Sequence, residues 1–336
     1  MRAVVVAVSL GLGLPVAALV GAFVYMSAPQ WQAADYDNLV TYEELASGGA
    51  EPPGSANAEP LTVVSYNLGY LSGLTNQRAV VRDQALLEAN QATAVAALKT
   101  LQPDILALQE IDFDAHRSFN RNQQYALAQG LGLAYGAIAV NWDKRYVPFP
   151  YWPPQAHYQQ LVSGQAVLSR HPIRRNERLV LEKVPTNPFY YNALYLDRVA
   201  QVTEIDVSGQ TLIVINVHLE AFDAPTRTRQ TQVVRELAEG YAEDYPVLLV
   251  GDFNSSPNRD EGDEPRSIGL LLDSPVLASA LPTAPSSFTF PSDQPQYVLD
   301  YIFYTPTTLE VVSAEVVAEA AQASDHLPVQ AEVRLR

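Results

Sequence analysis

The chain contains no cysteine. Disulfides, thiolate metal centres and cysteine nucleophiles are thereby excluded; the absence suits an oxidising compartment without establishing one. Positive charge is scarce as well. Lys and Arg number 21 against 37 Asp and Glu in 336 residues, a net charge of −16. Nonspecific nucleic-acid binding draws on Lys and Arg to neutralise phosphates, so so acidic a body needs a local basic patch to hold a polynucleotide. Charge of either sign is missing from Ala3 to Met26, a run of 24 residues. As a helix that run is about 36 Å long against a hydrocarbon core of about 30 Å. A signal peptide's apolar region is only about 7–15 residues, and no clean small-x-small cleavage site follows directly. Residues 1–26 are therefore expected to form a transmembrane anchor, a signal segment being the alternative. Arg2 precedes the run and Asp35, Asp37, Glu43 and Glu44 follow it. The positive-inside tendency then sets the body outside the cytoplasm, membrane-anchored and periplasmic or at the cell surface, or secreted if the segment is cleaved.

Hydrophobic residues make up 48% of the chain, ample for a large core. Residues 45–60 are small, polar and rich in Pro and Gly, and 27–60 is expected to be a flexible linker. From Leu61 onward, strand and helix patterns alternate. Strands are expected at 61–68, 104–109, 163–169, 198–206, 211–219, 246–250, 297–304, 309–317 and 328–335. Helices are expected at 84–101, 117–130, 225–242 and 267–281. Hairpins among helices favour two helix-covered sheets over a doubly wound parallel sheet. Residues 141–160 read as a long irregular segment.

Polar residues stand at the ends of several apolar runs. Glu110 ends Ile105–Gln109, where a carboxylate can hold Mg²⁺ or simply be a strand-end acid. Asn67 follows Val63–Tyr66 and can meet a phosphate, a water or a metal, or form a turn before Gly69. His218 follows Leu212–Val217 and can donate to a phosphoryl oxygen or be structural. Gly251-Asp252-Phe253-Asn254 follows Val247–Val250; Asp252 and Asn254 can converge on one point or form an Asx turn. Asp325-His326 combines a carboxylate with an imidazole, or is a surface turn. Asp300, inside the apolar strand Val298–Phe303, is costly to bury unpaired, and His326 is its natural partner.

In this order, these segments resemble the endonuclease/exonuclease/phosphatase superfamily, which includes AP endonucleases, inositol-polyphosphate 5-phosphatases and neutral sphingomyelinases. Gly251–Asn254 and Ser324-Asp325-His326-Leu327-Pro328-Val329 carry the resemblance most specifically; Ser163–Arg170, ending in Ser-Arg ahead of Pro-Ile, adds to it. The resemblance covers about 61–336, expected as the catalytic domain. It implies an α/β (mixed α+β) four-layer sandwich of two central β-sheets flanked by helices, preceded here by the transmembrane helix. It implies metal-dependent phosphoester hydrolysis with Mg²⁺, Mn²⁺ being the alternative. Glu110 would be the main metal ligand, assisted by Asn67 and Asp325. Asp252 would orient and deprotonate water, Asn254 would position water or phosphate, His326 paired with Asp300 would stabilise charge, and His218 would contact phosphate. AP endonucleases carry an acid two positions after the first Asn, where this chain has Gly69, which weighs against an AP-site nuclease.

Residues 142–158 hold two of the three tryptophans, several prolines and Lys144-Arg145. They suit a headgroup pocket, a bilayer contact, a base-stacking platform or a packed loop. Asn187–Tyr191 is a second aromatic loop. Arg117, Arg121, Arg170, Arg174, Arg175 and Arg178 are candidate phosphate contacts or solvated charges. The expected function is a membrane-tethered, extracytoplasmic phosphodiesterase or phosphatase, monomeric, acting on a lipid headgroup or another small phosphoester. The alternatives are a surface or secreted nuclease, which leaves nucleic acid open as a partner, and a catalytically inactive binding module.

Overall fold

Strands whose apolar residues alternate between two covered faces make up the centre of the molecule. In the computed structural model, which describes residues 2–46, 59–76, 78–259 and 266–336, the chain begins with α1 (Arg2–Ser27), β1 (Leu39–Thr41), α2 (Glu43–Ala46), β2 (Leu61–Asn67) and α3 (Gln84–Leu101). It continues with β3 (Ile105–Ala115), α4 (Gln123–Leu131), β4 (Tyr135–Val147), β5 (Gln159–Ser169), β6 (Ile173–Val180) and α5 (Phe189–Leu194). Next come β7 (Val199–Val207), β8 (Gln210–His218), α6 (Ala224–Tyr241), β9 (Val247–Asp252), α7 (Gly269–Leu272) and β10 (Ala278–Ser279). β11 (Asp300–Tyr304), β12 (Leu309–Val316) and β13 (Val329–Leu335) close the chain.

The strands form two mixed sheets. One runs β1-β4-β5-β3-β2-β13-β12, the other β10-β11-β9-β8-β7-β6. In β2, Leu61 and Val63 face the second sheet, while Val64 and Tyr66 face the helices. In β8, Leu212 and Val214 face the first sheet, while Ile213 and Ile215 face outward. Burial on both faces is why these strands read as continuous apolar runs rather than as polar–apolar alternation. Leu98 of α3 and Leu127 of α4 pack on the outer face of the first sheet. Val234 and Ala238 of α6 pack on the outer face of the second. The layers are helix, sheet, sheet, helix, as the resemblance implied.

Each sheet contains one parallel pair, β2 with β3 and β8 with β9. A parallel pair needs a long crossover, and each uses a helix of 18 residues, α3 and α6. Both helices start at an aspartate cap: Asp83 accepts from the Leu86 N–H, and Asp223 from the Thr226 N–H. Such caps contribute about 1 kcal/mol each. The registers Asn67↔Gln109 and His218↔Asp252 bring the carboxyl ends of both parallel pairs to one end of the sandwich. Just beneath that end, buried amides link the sheets. Gln109 donates to Asn216 Oδ1 at 2.7 Å, and Asn216 donates to the carbonyls of Leu108 and Ala166.

Several expectations need correction. The transmembrane helix is not upheld: among the described residues, no helix is long and apolar enough to cross a membrane. A helix does form over Arg2–Ser27, with Pro15 in its interior, but its last turns lie against the body. Phe23 meets the Phe189 ring edge-on at 6.2 Å, and Lys144 donates to the Ser27 carbonyl. The stretch expected as a linker contains a docked part. The N–H groups of Gln30 and Trp31 and the Tyr36 hydroxyl all donate to the buried Asp143 carboxylate, and β1 pairs with β4. Residues 47–58 of that stretch lie outside those described. The segment 141–160 is only partly irregular, since β4 runs to Val147 and β5 begins at Gln159. The helix expected at 117–130 starts at Gln123, because Arg117 is drawn into an ion pair with Asp112. The helix expected at 267–281 is a single turn, α7, followed by β10.

Candidate active site

Asp252 stands at the end of β9, the last residue before the chain leaves the sheet. Gly251 precedes it with φ at +137°, and a Cβ there would lie 1.9 Å from the Val217 carbonyl oxygen. Only glycine allows β9 to approach β8 this closely. The Asp252 carboxylate is buried and held on both oxygens. Oδ1 accepts from the Asn254 N–H at 2.8 Å and Oδ2 from the Asn67 amide at 2.9 Å. Asn67 thus meets Asp252 through its Nδ2, while its Oδ1 accepts from the Gly69 N–H. Asn254, with φ at +51°, donates its own side-chain amide to the Leu219 carbonyl.

Two histidines flank this carboxylate. His218 Nε2 lies 3.4 Å from Asp252 Oδ2 and 3.8 Å from Glu110 Oε1. His326 Nε2 lies 3.8 Å from Asp252 Oδ2, and its Nδ1 hydrogen-bonds Asp300 Oδ2 at 2.8 Å. Asp300 pairs with Asp252 in register across β11 and β9, which explains an acid inside so apolar a strand. The Ser324 hydroxyl donates to the Asn67 carbonyl at 2.7 Å and pins the Ser-Asp-His turn to the end of β2.

Glu110 sits where β3 shifts register between Leu108 and Ile111, with φ at +50°. That bulge turns the side chain toward the end of the sandwich, and a non-glycine residue in this region is strained, as functional residues often are. The Asn76 amide donates to Glu110 at 3.0 Å and to Asp325 at 3.1 Å, joining the two carboxylates. A Cβ on Gly69 would lie 2.6 Å from Asp325 Oδ1. Gly69 thus leaves the space that the Asp325 carboxylate occupies.

Burial and neighbours set the charge states. Burial, then the charges of Asp325 and Asp252, push Glu110 up to about 7, against the Asn76 hydrogen bond. Burial raises Asp252 to about 6, opposed by His326 and reinforced by Asp300. Burial works against charge on His326, but Asp300 and Asp252 together hold it well above the ordinary imidazole range. His218 is driven well below that range by burial, Arg198 and His326. One imidazole is thus cationic and the other neutral beside the same carboxylate, a separation typical of acid–base sites.

The donor set fits a hard divalent cation. Glu110 and Asp325 offer oxygen ligands, bridged by the Asn76 amide. Magnesium takes oxygen donors and usually one or two carboxylates. Asp252, Asp300 and His326 also offer ligand atoms within 4.8 Å of one another. There, however, Asp300 is engaged by His326 Nδ1, so that trio is better described as a carboxylate–imidazole pair facing a base.

All the predicted site residues except Asn67 and Asp325 line one cavity, or in the case of Asp300 support a residue that does; Asn67 and Asp325 bond to lining residues. The candidate arginines do not join it. Arg117 is buried against Asp112, with its guanidinium 3.5 Å above the Tyr70 ring. Arg121, Arg170, Arg174, Arg175 and Arg178 pair with acids elsewhere. Two residues escaped the sequence reading. Asn76 has no pattern around it. Arg198 lines the cavity 4% exposed, with its Nε 3.5 Å from the Glu220 carboxylate. A guanidinium lining the cavity suits an incoming phosphate. Its one signal in sequence is a charge opening the apolar run of β7.

Comparison with known proteins shows the family and the fold. The model of the Endonuclease/Exonuclease/phosphatase family matches residues 64–326. A sequence comparison with curated proteins finds no match. Among solved structures, an endonuclease/exonuclease/phosphatase from Beutenbergia cavernae is similar at 22% identity and TM-score 0.61, over 83% of this chain and 72% of that one. The human Nocturnin catalytic domain is similar at 19% identity and TM-score 0.56, over 89% and 98%. A mannosyl-6-phosphatase from Bacteroides thetaiotaomicron is similar at 18% identity and TM-score 0.55, over 81% and 99%. At these identities the structural likeness establishes the fold.

Proposed function

Because this chain belongs to the endonuclease/exonuclease/phosphatase family, we propose that it is a divalent-metal-dependent hydrolase of small phosphoesters. The observation that carries the reading is the convergence of Asp252, Glu110, His218 and the His326–Asp300 pair on one buried floor, each at the end of a different strand or turn. Glu110 and Asp325 would hold the metal, which when bound supplies Lewis-acid polarisation of a phosphoryl oxygen.

The protein's own residues account for the remaining chemistry. Asp252, fixed by Asn67 and the Asn254 N–H, accepts a proton from the attacking water. A bond forms between that oxygen and phosphorus as the phosphorus–oxygen bond to the leaving alcohol breaks. The leaving oxygen gains a proton from solvent or from a neighbouring acid. His326, kept cationic by Asp300, faces the developing negative charge, and such preorganised electrostatics commonly supply the largest share of catalysis. His218, neutral, donates one hydrogen bond without adding charge. Arg198 adds a positive charge at the cavity floor.

A substrate panel tests the reading. Plasmid DNA, bis-p-nitrophenyl phosphate, inositol phosphates and phospholipid in mixed micelles are offered with Mg²⁺ or Mn²⁺, with Asp252→Ala as control. Cleavage of a small ester or lipid, lost in the control, supports it. Efficient DNA nicking lost in the control would replace it with a nuclease.

A further inference from the structure

The cavity above the catalytic floor has a volume of about 530 Å³, and its two zones differ in chemistry. The floor is polar and charged. The walls are aromatic and aliphatic, contributed by Phe149 and Tyr151 after β4, by Tyr190, Tyr191 and Leu194 of α5, and by Phe222 after β8. Several of these rings stand in water: Tyr151 is 72% exposed, Tyr190 56% and Phe222 74%. Large aromatic surface left uncovered around a cavity mouth marks a place where something apolar binds.

The wall is in place before any ligand arrives. Trp142 Nε1 donates to the Leu194 carbonyl at 2.8 Å, Lys183 Nζ donates to the Asn192 carbonyl at 2.9 Å, and Phe23 of α1 packs edge-on against Phe189. Such preorganisation lowers the ordering cost of binding. Cations are few. Among the described residues, the only Lys or Arg lining the cavity are Arg198, at the floor, and Arg259. A polyanion needs several cations along its track.

We propose, resting on the phosphoesterase reading above, that this cavity selects phosphoesters bearing one phosphoryl group and a bulky, uncharged apolar substituent. The phosphoryl group meets the floor and the apolar group fills the aromatic walls. Such a substrate is an amphiphile, either free in solution or presented by a lipid surface.

The test is a binding series on the full chain with Mg²⁺, using non-hydrolysable methyl-, butyl- and octylphosphonate, with thymidine 5′-phosphorothioate as the nucleotide comparison. Affinity is expected to rise about 3-fold per methylene until the walls are filled. Phe222→Ser and Tyr190→Ser should each lower the octyl-to-methyl affinity ratio by about 10-fold. Equal affinity along the series, or tighter binding of the nucleotide than of octylphosphonate, would overturn the proposal. Hydrolysis is read separately with methyl and octyl p-nitrophenyl phosphate. Chain-dependent binding without hydrolysis of either ester would leave the cavity assignment standing and remove the catalytic reading. Hydrolysis without chain dependence would do the reverse. Faster turnover of octyl ester in solution, or headgroup release from phosphatidylcholine vesicles, each supports the proposal and assigns the amphiphile to its source.

Discussion

His218 and His326 face one carboxylate, yet their surroundings drive them in opposite directions. Against its burial, Asp300 hydrogen-bonds His326 Nδ1 and holds that ring cationic, while burial first, then Arg198 and His326, keeps His218 neutral. Asp252 is raised to about 6, so the free enzyme gains its base as pH rises through about 6 and loses its cation when His326 deprotonates on the alkaline side. The pH–rate profile is expected to be bell-shaped. Asp300→Asn should draw the alkaline limb to lower pH, and an unmoved limb would contradict the assignment. Replacing Asp252 or His326 by Ala should cut kcat by at least about 10²-fold in steady-state assays, with the circular dichroism spectrum unchanged. Asp252 and His218 were legible in sequence because each ends an apolar run, Asp300 because it is an acid inside one, and His326 because it stands in the Ser-Asp-His segment. Asn76 and Arg198 were not: one follows a turn without periodicity, and the other looks like any surface arginine until β7 and Glu220 enclose it. Arg198→Met is expected to raise KM for a phosphoester by about 10-fold, in line with loss of a charged hydrogen bond.

At the scale of elements, strand ends place the site and small residues let them meet. Gly251→Ala should destabilise the protein by roughly 3 kcal/mol, since a Cβ would overlap the Val217 carbonyl and overpacking is relieved only by separating β8 from β9. Urea unfolding measures this, and a change under about 0.5 kcal/mol would show that the strands separate freely. Asp143 accepts three hydrogen bonds from residues 30–36. Asp143→Ala leaves those donors without their partner, and a loss of about 1–3 kcal/mol is expected. The apolar strands β2, β3, β8 and β9 were readable because both faces are covered. β6 was not, since Ile173-Arg174-Arg175-Asn176-Glu177-Arg178 lies at a sheet edge with charged side chains in water, the usual guard of an edge strand. β4 was hidden by Asp143, Lys144 and Arg145, which look like loop residues until Asp143 is seen binding the N-terminal segment.

Across the whole molecule, two helix-covered sheets followed from the hairpins among the helix patterns and the four-layer order from the family resemblance, whereas the length of the uncharged N-terminal run did not predict how α1 would lie. Charge is the property that most governs behaviour in solution. In the metal-free protein, Glu110 and Asp252 bind protons more tightly when folded than when unfolded, with folded values near 7 and 6. Their contribution to stability is fully present below about pH 4, the unfolded carboxylate range, and is lost as pH rises through about 6–7. His326, also raised, acts in the same direction at higher pH. The chelated protein is therefore expected to lose thermal stability through these groups between about pH 4 and 8, with Mg²⁺ restoring it near neutrality by binding the native state. Asp252→Asn should flatten the decline. The account's central claim, a phosphoesterase built on these carboxylates and dependent on a divalent cation, is tested most directly by the initial rate of bis-p-nitrophenyl phosphate hydrolysis against Mg²⁺ concentration, for the native chain and for Glu110→Gln. The account predicts a saturable rise from a chelated baseline near zero, with half-saturation moved at least about 10-fold higher by loss of a ligand charge. An identical Mg²⁺ titration in the two proteins, or full activity in chelator, would contradict it.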